Sequence, residues 1–236
     1  YNDYVPKLID KDPISAIAFD ITYPLSRKIT LYSQVAQLIG ETDQLDISEK
    51  LGWGAVPLGV RAKLGPIDLL AEFRINSRRF IFNYWDRAYD VNRISINSEG
   101  APVTKESLLY QYGKLVGFYS QANMDLMNMF TFGFGYQNMK GEKWDLANEE
   151  YLEDESNQTL LSTVSINPSL IPKVGKAQAF YQQSNVSNPF EFKANSSTVW
   201  GYDLGVEVSS GVMLIYQART TYISDLDNPG EFLPQK

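Results

Sequence analysis

Histidine and cysteine are both missing from the 236 residues of this chain. Without cysteine there is no disulfide framework, no thiolate metal site and no thiol nucleophile. Without histidine the commonest general base, the Ser-His-Asp arrangement and the usual transition-metal sites are lost too, which leaves carboxylates, lysine and tyrosine as the only acid-base groups. The expectation is a protein that is not an enzyme and holds no cofactor. A long apolar run is also absent: nowhere do about 18 consecutive apolar residues occur, so a transmembrane helix is excluded and only a closed sheet could satisfy its backbone in lipid. Nor is there a basic surplus. The net charge is −7 and the pI about 4.7, without the concentrated basic face that nucleic acid requires. At Tyr1 there is neither a basic nor an apolar leader stretch, which reads as a processed form or a fragment.

What the chain does have is alternation. WGAVPLGVRAKLGPIDLLAEFRI, Trp53 to Ile75, reads as two strands joined at Gly65-Pro66. Side chains alternate between faces of a strand, so Val56, Leu58, Val60, Ala62 and Leu64 form one row, continued on the return by Ile67, Leu69, Ala71, Phe73 and Ile75. The other row carries Arg61, Lys63, Asp68, Glu72 and Arg74, with Lys63 opposite Asp68 and Arg61 diagonal to Asp68 and Glu72. A soluble barrel puts the apolar row inside; a membrane barrel puts it against lipid and the charges in the lumen.

The same design recurs. Residues 1–13 are a polar lead-in, and Ile14 to Tyr23 and Ile29 to Ile39 pair as strands, the second with two rows too similar to assign. Gly40 to Lys50 is an acidic loop. After Asn76 the pattern breaks into a long loop, and Thr104 to Tyr112 suits either a short helix capped by Thr104 or the start of a strand. Gly113 to Leu126 and Phe130 to Met139 make a hairpin whose return strand sets Phe130, Phe132, Phe134 and Tyr136 against Thr131, Gly133, Gly135 and Gln137. Lys140 to Asn157 is read as a second acidic loop, followed by strands at Gln158 to Ile166 and Val174 to Gln183 and a polar loop, Ser184 to Ser197, that holds NPFEF. In the last hairpin Trp200, Tyr202, Leu204, Val206 and Val208 face one way and Asp203 and Glu207 the other, with Arg219 on the return diagonal to Asp203.

The sum is an all-β chain, one antiparallel up-and-down transmembrane β-barrel domain of about 10 strands (roughly 10 to 12), with short turns at one end, long acidic loops at the other and at most one short helix near 104–112. Residues 224–236 are a tail or an incomplete last strand. The 15 tyrosines, 12 phenylalanines and 4 tryptophans include several near strand ends, as an aromatic girdle places them.

The phrases ITLYSQVAQLIG, GWGAVPLGVRAKLGPIDLLAEFRI and GYDLGVEVSSGVMLIYQARTTY resemble those of bacterial outer-membrane β-barrel proteins, over nearly the whole chain. That resemblance implies export to the outer membrane, insertion as a closed antiparallel barrel, and outer-membrane lipids as the partner, with room for protein partners in an envelope complex. The chain departs from the pattern by running past Ile223 to end in FLPQK instead of closing on an aromatic residue. On this reading Val56, Leu58, Val60, Leu69, Phe73, Phe130, Phe132, Phe134, Trp200, Tyr202 and Leu204 face lipid. Arg61, Lys63, Asp68, Glu72, Arg74, Asp203, Glu207 and Arg219 form a lumen charge network.

Three functions compete: a structural or assembly component or narrow porin-like channel; a soluble or periplasmic barrel binding an apolar ligand against Phe130, Phe132 and Phe134; and, more weakly, an outer-membrane enzyme using carboxylates such as Asp203 and Glu207. Asp225, Asp227, Asn228 and Glu231 have oxygen ligands at spacings reminiscent of a weak Ca²⁺ loop but lack the twelve-residue EF-hand layout, so a solvated acidic turn is the commoner reading. The acidic run Glu149 to Glu155 is read the same way.

Overall fold

A computed structural model describes residues 14–44, 47–85, 89, 93–96, 102–145, 147–225 and 231–235. Its alternating segments become ten long strands: β1 (Ser15–Pro24), β2 (Ile29–Ile39), β5 (Trp53–Leu64), β6 (Ile67–Asn76), β9 (Tyr112–Leu126), β10 (Phe130–Asp145), β11 (Glu150–Ile166), β12 (Val174–Val186), β13 (Thr198–Ser209) and β14 (Val212–Ser224). With the short β15 (Phe232–Gln235) they form one eleven-stranded sheet in which each strand lies beside its predecessor, antiparallel throughout. Two small hairpins stand apart, β3 (Glu41–Gln44) with β4 (Ile47–Lys50), and β7 (Ile94–Ile96) with β8 (Pro102–Thr104).

The connections segregate by length. At one end, the turn end, residues 25–28, 65–66, 127–129, 167–173 and 210–211 suffice. Gly65 has φ +63° at the first central position of its two-residue turn, the conformation that a right-twisted hairpin requires and that glycine adopts without strain. At the other, loop end, connections run over 40–52, 77–111, 146–149 and 187–197. Within the expected acidic loop Gly40 to Lys50, Glu41–Gln44 and Ile47–Lys50 pair as the β3–β4 hairpin. The acidic stretch 140–157 is largely strand: β10 and β11 continue past a bulge between Gly141 and Lys143 and leave only 146–149 as connection. Neither alternative for 104–112 holds alone, because β8 ends at Thr104, a 3-10 turn spans Leu109–Gln111 and β9 begins at Tyr112.

The two faces differ in crowding. Ladder partners share a face, and one face collects Phe19, Val35, Leu58, Leu69, Phe73, Phe118, Phe132, Phe134, Trp200, Tyr202, Leu204 and Leu214, all exposed. The opposite face collects Tyr32, Arg74, Tyr119, Gln137 and Asp203, all buried. A curved sheet crowds side chains on its concave side and fans them apart on its convex side, so the polar face is the inside of the curl and the apolar face the outside. Among the described residues β1 pairs only with β2 and β14 only with β13 and, over Thr221–Ser224, with β15. The sheet thus has two edges.

One row assignment is corrected. Val56, expected beside Leu58 on the apolar row, lies on the concave face and is 2% exposed. Between Tyr32/Gln34 on β2, β5 advances from Gly59 to Val56, one residue too many; this bulge at Pro57 flips everything before it. A proline has no N–H to give a ladder and is at home in a bulge.

Candidate functional site on the concave face

The concave face is built from two charge clusters. In the first, β6 sets Glu72 and Arg74 two residues apart, so both point inward, and they pair at 2.5 Å. Arg74 also donates to Gln137 Oε1 on β10 at 2.7 Å and lies 4.0 Å from the Tyr119 ring centre on β9. From β2, two strands away, the Tyr32 hydroxyl donates to Glu72 Oε1. It can cross β5 only because position 59 is glycine: a Cβ there would fall 2.3 Å from the Tyr32 ring. Arg61 sits opposite Leu70, which leaves it diagonal to Asp68 and Glu72 as the alternation implies, and its guanidinium lies 4.9 Å over the Tyr32 ring. Lys63 does face Asp68, at 3.9 Å, but both are well exposed near the turn end, where such a pair is worth little.

The second cluster lies across the sheet. Asp203 on β13 is held between Arg219 of β14, diagonal to it at 2.7 Å, and Lys176 of β12, also at 2.7 Å. Arg219 further stacks 4.7 Å over Phe180. Glu207, on the same row, is exposed and forms no ion pair among the described residues. Lys176, Tyr32, Gln137 and Tyr119 were not singled out in the sequence. Lys176 stood on an alternating row with Gln178, Phe180 and Gln182, a signal that could have placed it.

Between these clusters lie neutral side chains. Tyr119 donates to Gln121 Oε1 at 2.9 Å, and Gln121 reaches Asn123 Oδ1 at 3.4 Å.

At the loop end residues 80–84 of the connection 77–111 fold inward onto this face. Phe80 and Tyr84 are buried with Leu38, Leu51 and Leu109, and position 54 must be glycine for Phe80 to lie there, since a Cβ would fall 2.2 Å from its ring. Phe82 lies 4.7 Å from the Arg74 guanidinium, so the connection is fastened to the first cluster. Lys105 donates to the Tyr84 carbonyl at 2.6 Å, and Thr42 of β3 donates to the Glu106 carbonyl at 3.0 Å. Burial, then the Glu106 carboxylate, pushes the Tyr84 hydroxyl far above its ordinary pKa. Outside the sheet's middle, Arg78 pairs with Glu142 through two hydrogen bonds of 2.7 and 2.8 Å, which raise its pKa further.

Leu58, Val60, Leu69, Phe73, Phe130, Phe132, Phe134, Trp200, Tyr202 and Leu204 all lie on the convex rows. Of the acidic turn, Asp227 and Asn228 lie outside the described residues. Asp225 and Glu231 flank it, joined by a backbone hydrogen bond of 2.8 Å. Among the described residues no three histidine, cysteine or carboxylate side chains gather as metal ligands, and no helix is long and apolar enough to cross a membrane, which says nothing of a barrel.

The sequence matches no family model and no curated protein. Among solved structures it is similar to Pseudomonas aeruginosa OccK11 (OpdR), at 14% identity and a TM-score of 0.43, covering 87% of this chain and 52% of that one. The chain therefore spans about half the length of that structure.

Proposed function

We propose that the chain is a non-enzymatic outer-membrane β-barrel protein that works as a narrow channel for small solutes. One observation carries this: the convex face exposes Leu58, Phe73, Phe118, Phe134, Trp200 and Leu204, while Arg74, Gln137 and Asp203 are buried on the concave face. Water-soluble sheets have the reverse arrangement. The ten long strands alternate in direction, so β1 and β14 run opposite ways and are suited to pair and close the wall, as a sheet in lipid must. The inward fold of residues 80–84 narrows the loop end, and the ion pairs line the way past it.

A soluble barrel binding an apolar ligand needs Phe130, Phe132 and Phe134 inside, yet these rings are on the convex side. An enzyme using Asp203 and Glu207 together needs both acids free to exchange protons, whereas Asp203 is held by Lys176 and Arg219. Outer-membrane lipid is the partner this surface fits, and no cofactor is required. The test is twofold: purified protein should need detergent or lipid to stay monodisperse, and in a planar bilayer it should carry a reproducible current. Monodispersity in plain buffer ends the membrane reading; a silent bilayer with correctly inserted protein leaves a structural wall in place of a channel.

A further inference from the structure

The connection 187–197 between β12 and β13 turns outward, onto the convex face. Convex-row side chains of β10 to β12 anchor it: Gln158 Nε2 donates to the Ser187 carbonyl at 2.6 Å, Gln183 Nε2 donates to the Lys193 carbonyl at 2.5 Å, Phe190 packs on Tyr136 at 5.4 Å and Phe192 on Tyr181 at 6.1 Å. Here the outward rows of β10 to β12 turn polar, at Asn138, Gln158 and Gln183. The segment covers that polarity. Gln183 is 2% exposed beneath it, while Phe190 and Phe192 above are 52% and 64% exposed. Amides are thus exchanged for two rings on the outer surface. Water would have satisfied the amides without help, so the exchange suits a surroundings that cannot hydrogen-bond. Phe192 even takes a left-handed backbone, φ +52°, uncommon for a bulky side chain, as the residue that ends the Pro189–Glu191 turn. The only charges between and beside the rings, Glu191 and Lys193, pair with each other at 2.9 Å.

We propose that residues 188–193 form a membrane-interface patch. Phe190 and Phe192 enter the acyl-chain boundary of the bilayer and extend the apolar band toward the loop end over β10 to β12, with the Glu191–Lys193 pair at headgroup level. The patch continues a run of convex rings, Phe118 against Tyr136 at 6.1 Å and Tyr136 against Phe190.

The inference rests on the membrane-barrel reading, and the experiment separates the two. The absence of cysteine permits single-site spin labels without background. Phe190→Cys and Phe192→Cys, with Phe73→Cys in mid-row and Ala147→Cys in the connection 146–149 as references, are labelled and reconstituted in phosphatidylethanolamine–phosphatidylglycerol vesicles. The ratio of collisions with oxygen to collisions with a water-soluble nickel chelate is then read. At positions 190 and 192 the ratio is expected close to that at 73 and several-fold above that at 147. Values at 190 and 192 equal to that at 147, with 73 still in lipid, overturn the patch and leave the barrel reading intact. Aqueous values at all four positions overturn both. Spin–spin broadening at 190 between protomers means that a second copy covers the patch, and this also overturns it. Phe192→Cys carries the measurement alone should Phe190→Cys fail to fold.

Discussion

The Arg74 guanidinium lies 4.0 Å from the centre of the Tyr119 ring and 4.7 Å from that of Phe82, which joins the wall of the sheet to the connection folded against it. With its side chain 7% exposed and Glu72 at 2.5 Å, this cation is buried, paired and stacked. Arg74→Ala strands the Glu72 carboxylate and is expected to cost about 3–5 kcal/mol, the penalty for breaking a buried pair from one side. Glu72→Gln with Arg74→Met removes both charges and is expected to recover most of that loss. Urea unfolding in lipid vesicles measures both; equal losses in the single and double variants would mean that the pair itself contributes nothing.

Tyr32 reaches Glu72 through the gap at Gly59, where a Cβ would fall 2.3 Å from the ring. Gly59→Ala therefore displaces the ring, at about 1–3 kcal/mol, the usual cost of overpacking. In a Tyr32→Ala background the same substitution meets no ring and is expected to be nearly neutral. A double-mutant cycle on unfolding free energies reads the coupling, and additive losses would place the strain elsewhere.

These two examples mark how far the sequence could be read. The inward row of β6 was legible because period-2 alternation survives wherever a strand is regular, and the diagonal of Arg219 and Asp203 holds because a bulge between Glu207 and Ser209 offsets the tight two-residue turn at 210–211. Val56 was misplaced because a bulge at Pro57 shifts the parity without changing composition. The partners Tyr32 and Gln137 come from strands that are not neighbours of β6, and only coordinates bring them together. Acidic residues 150–155 looked like loop because charge suggests solvent, yet a strand that runs beyond the apolar band can carry charge along its edge. The NPFEF segment was read by composition alone as a polar loop, and nothing in its spacing says that its rings turn outward.

Asp203 balances two cations, Lys176 and Arg219, so its removal leaves two positive charges facing the interior. On the channel reading, Asp203→Asn should move the reversal potential in a KCl gradient toward the anion's equilibrium potential. The shift should shrink as salt rises, because the screening length falls from about 10 Å at 0.1 M to about 3 Å at 1 M. Asp68→Asn, at an exposed pair near the turn end, is expected to do much less. Identical reversal potentials for wild type and Asp203→Asn would place the permeation path away from this cluster.

Ala122 and Asn123 are neighbours on β9 that face opposite ways. Ala122 stands opposite Leu69 and Phe134 on the convex row, and Asn123 opposite Asp68 on the concave one. If lipid covers the convex face, Ala122→Arg puts a cation into hydrocarbon and costs about 2–4 kcal/mol near mid-depth. Asn123→Arg puts the same charge beside Asp68 in a polar interior and should stay within about 0.5 kcal/mol, as for an ordinary polar-site substitution. A soluble fold with this sheet predicts the opposite order, because its convex face meets water, where arginine is welcome, and its interior must then stay uncharged to pack. Unfolding both variants from lipid vesicles therefore decides by rank alone which side of the sheet meets lipid.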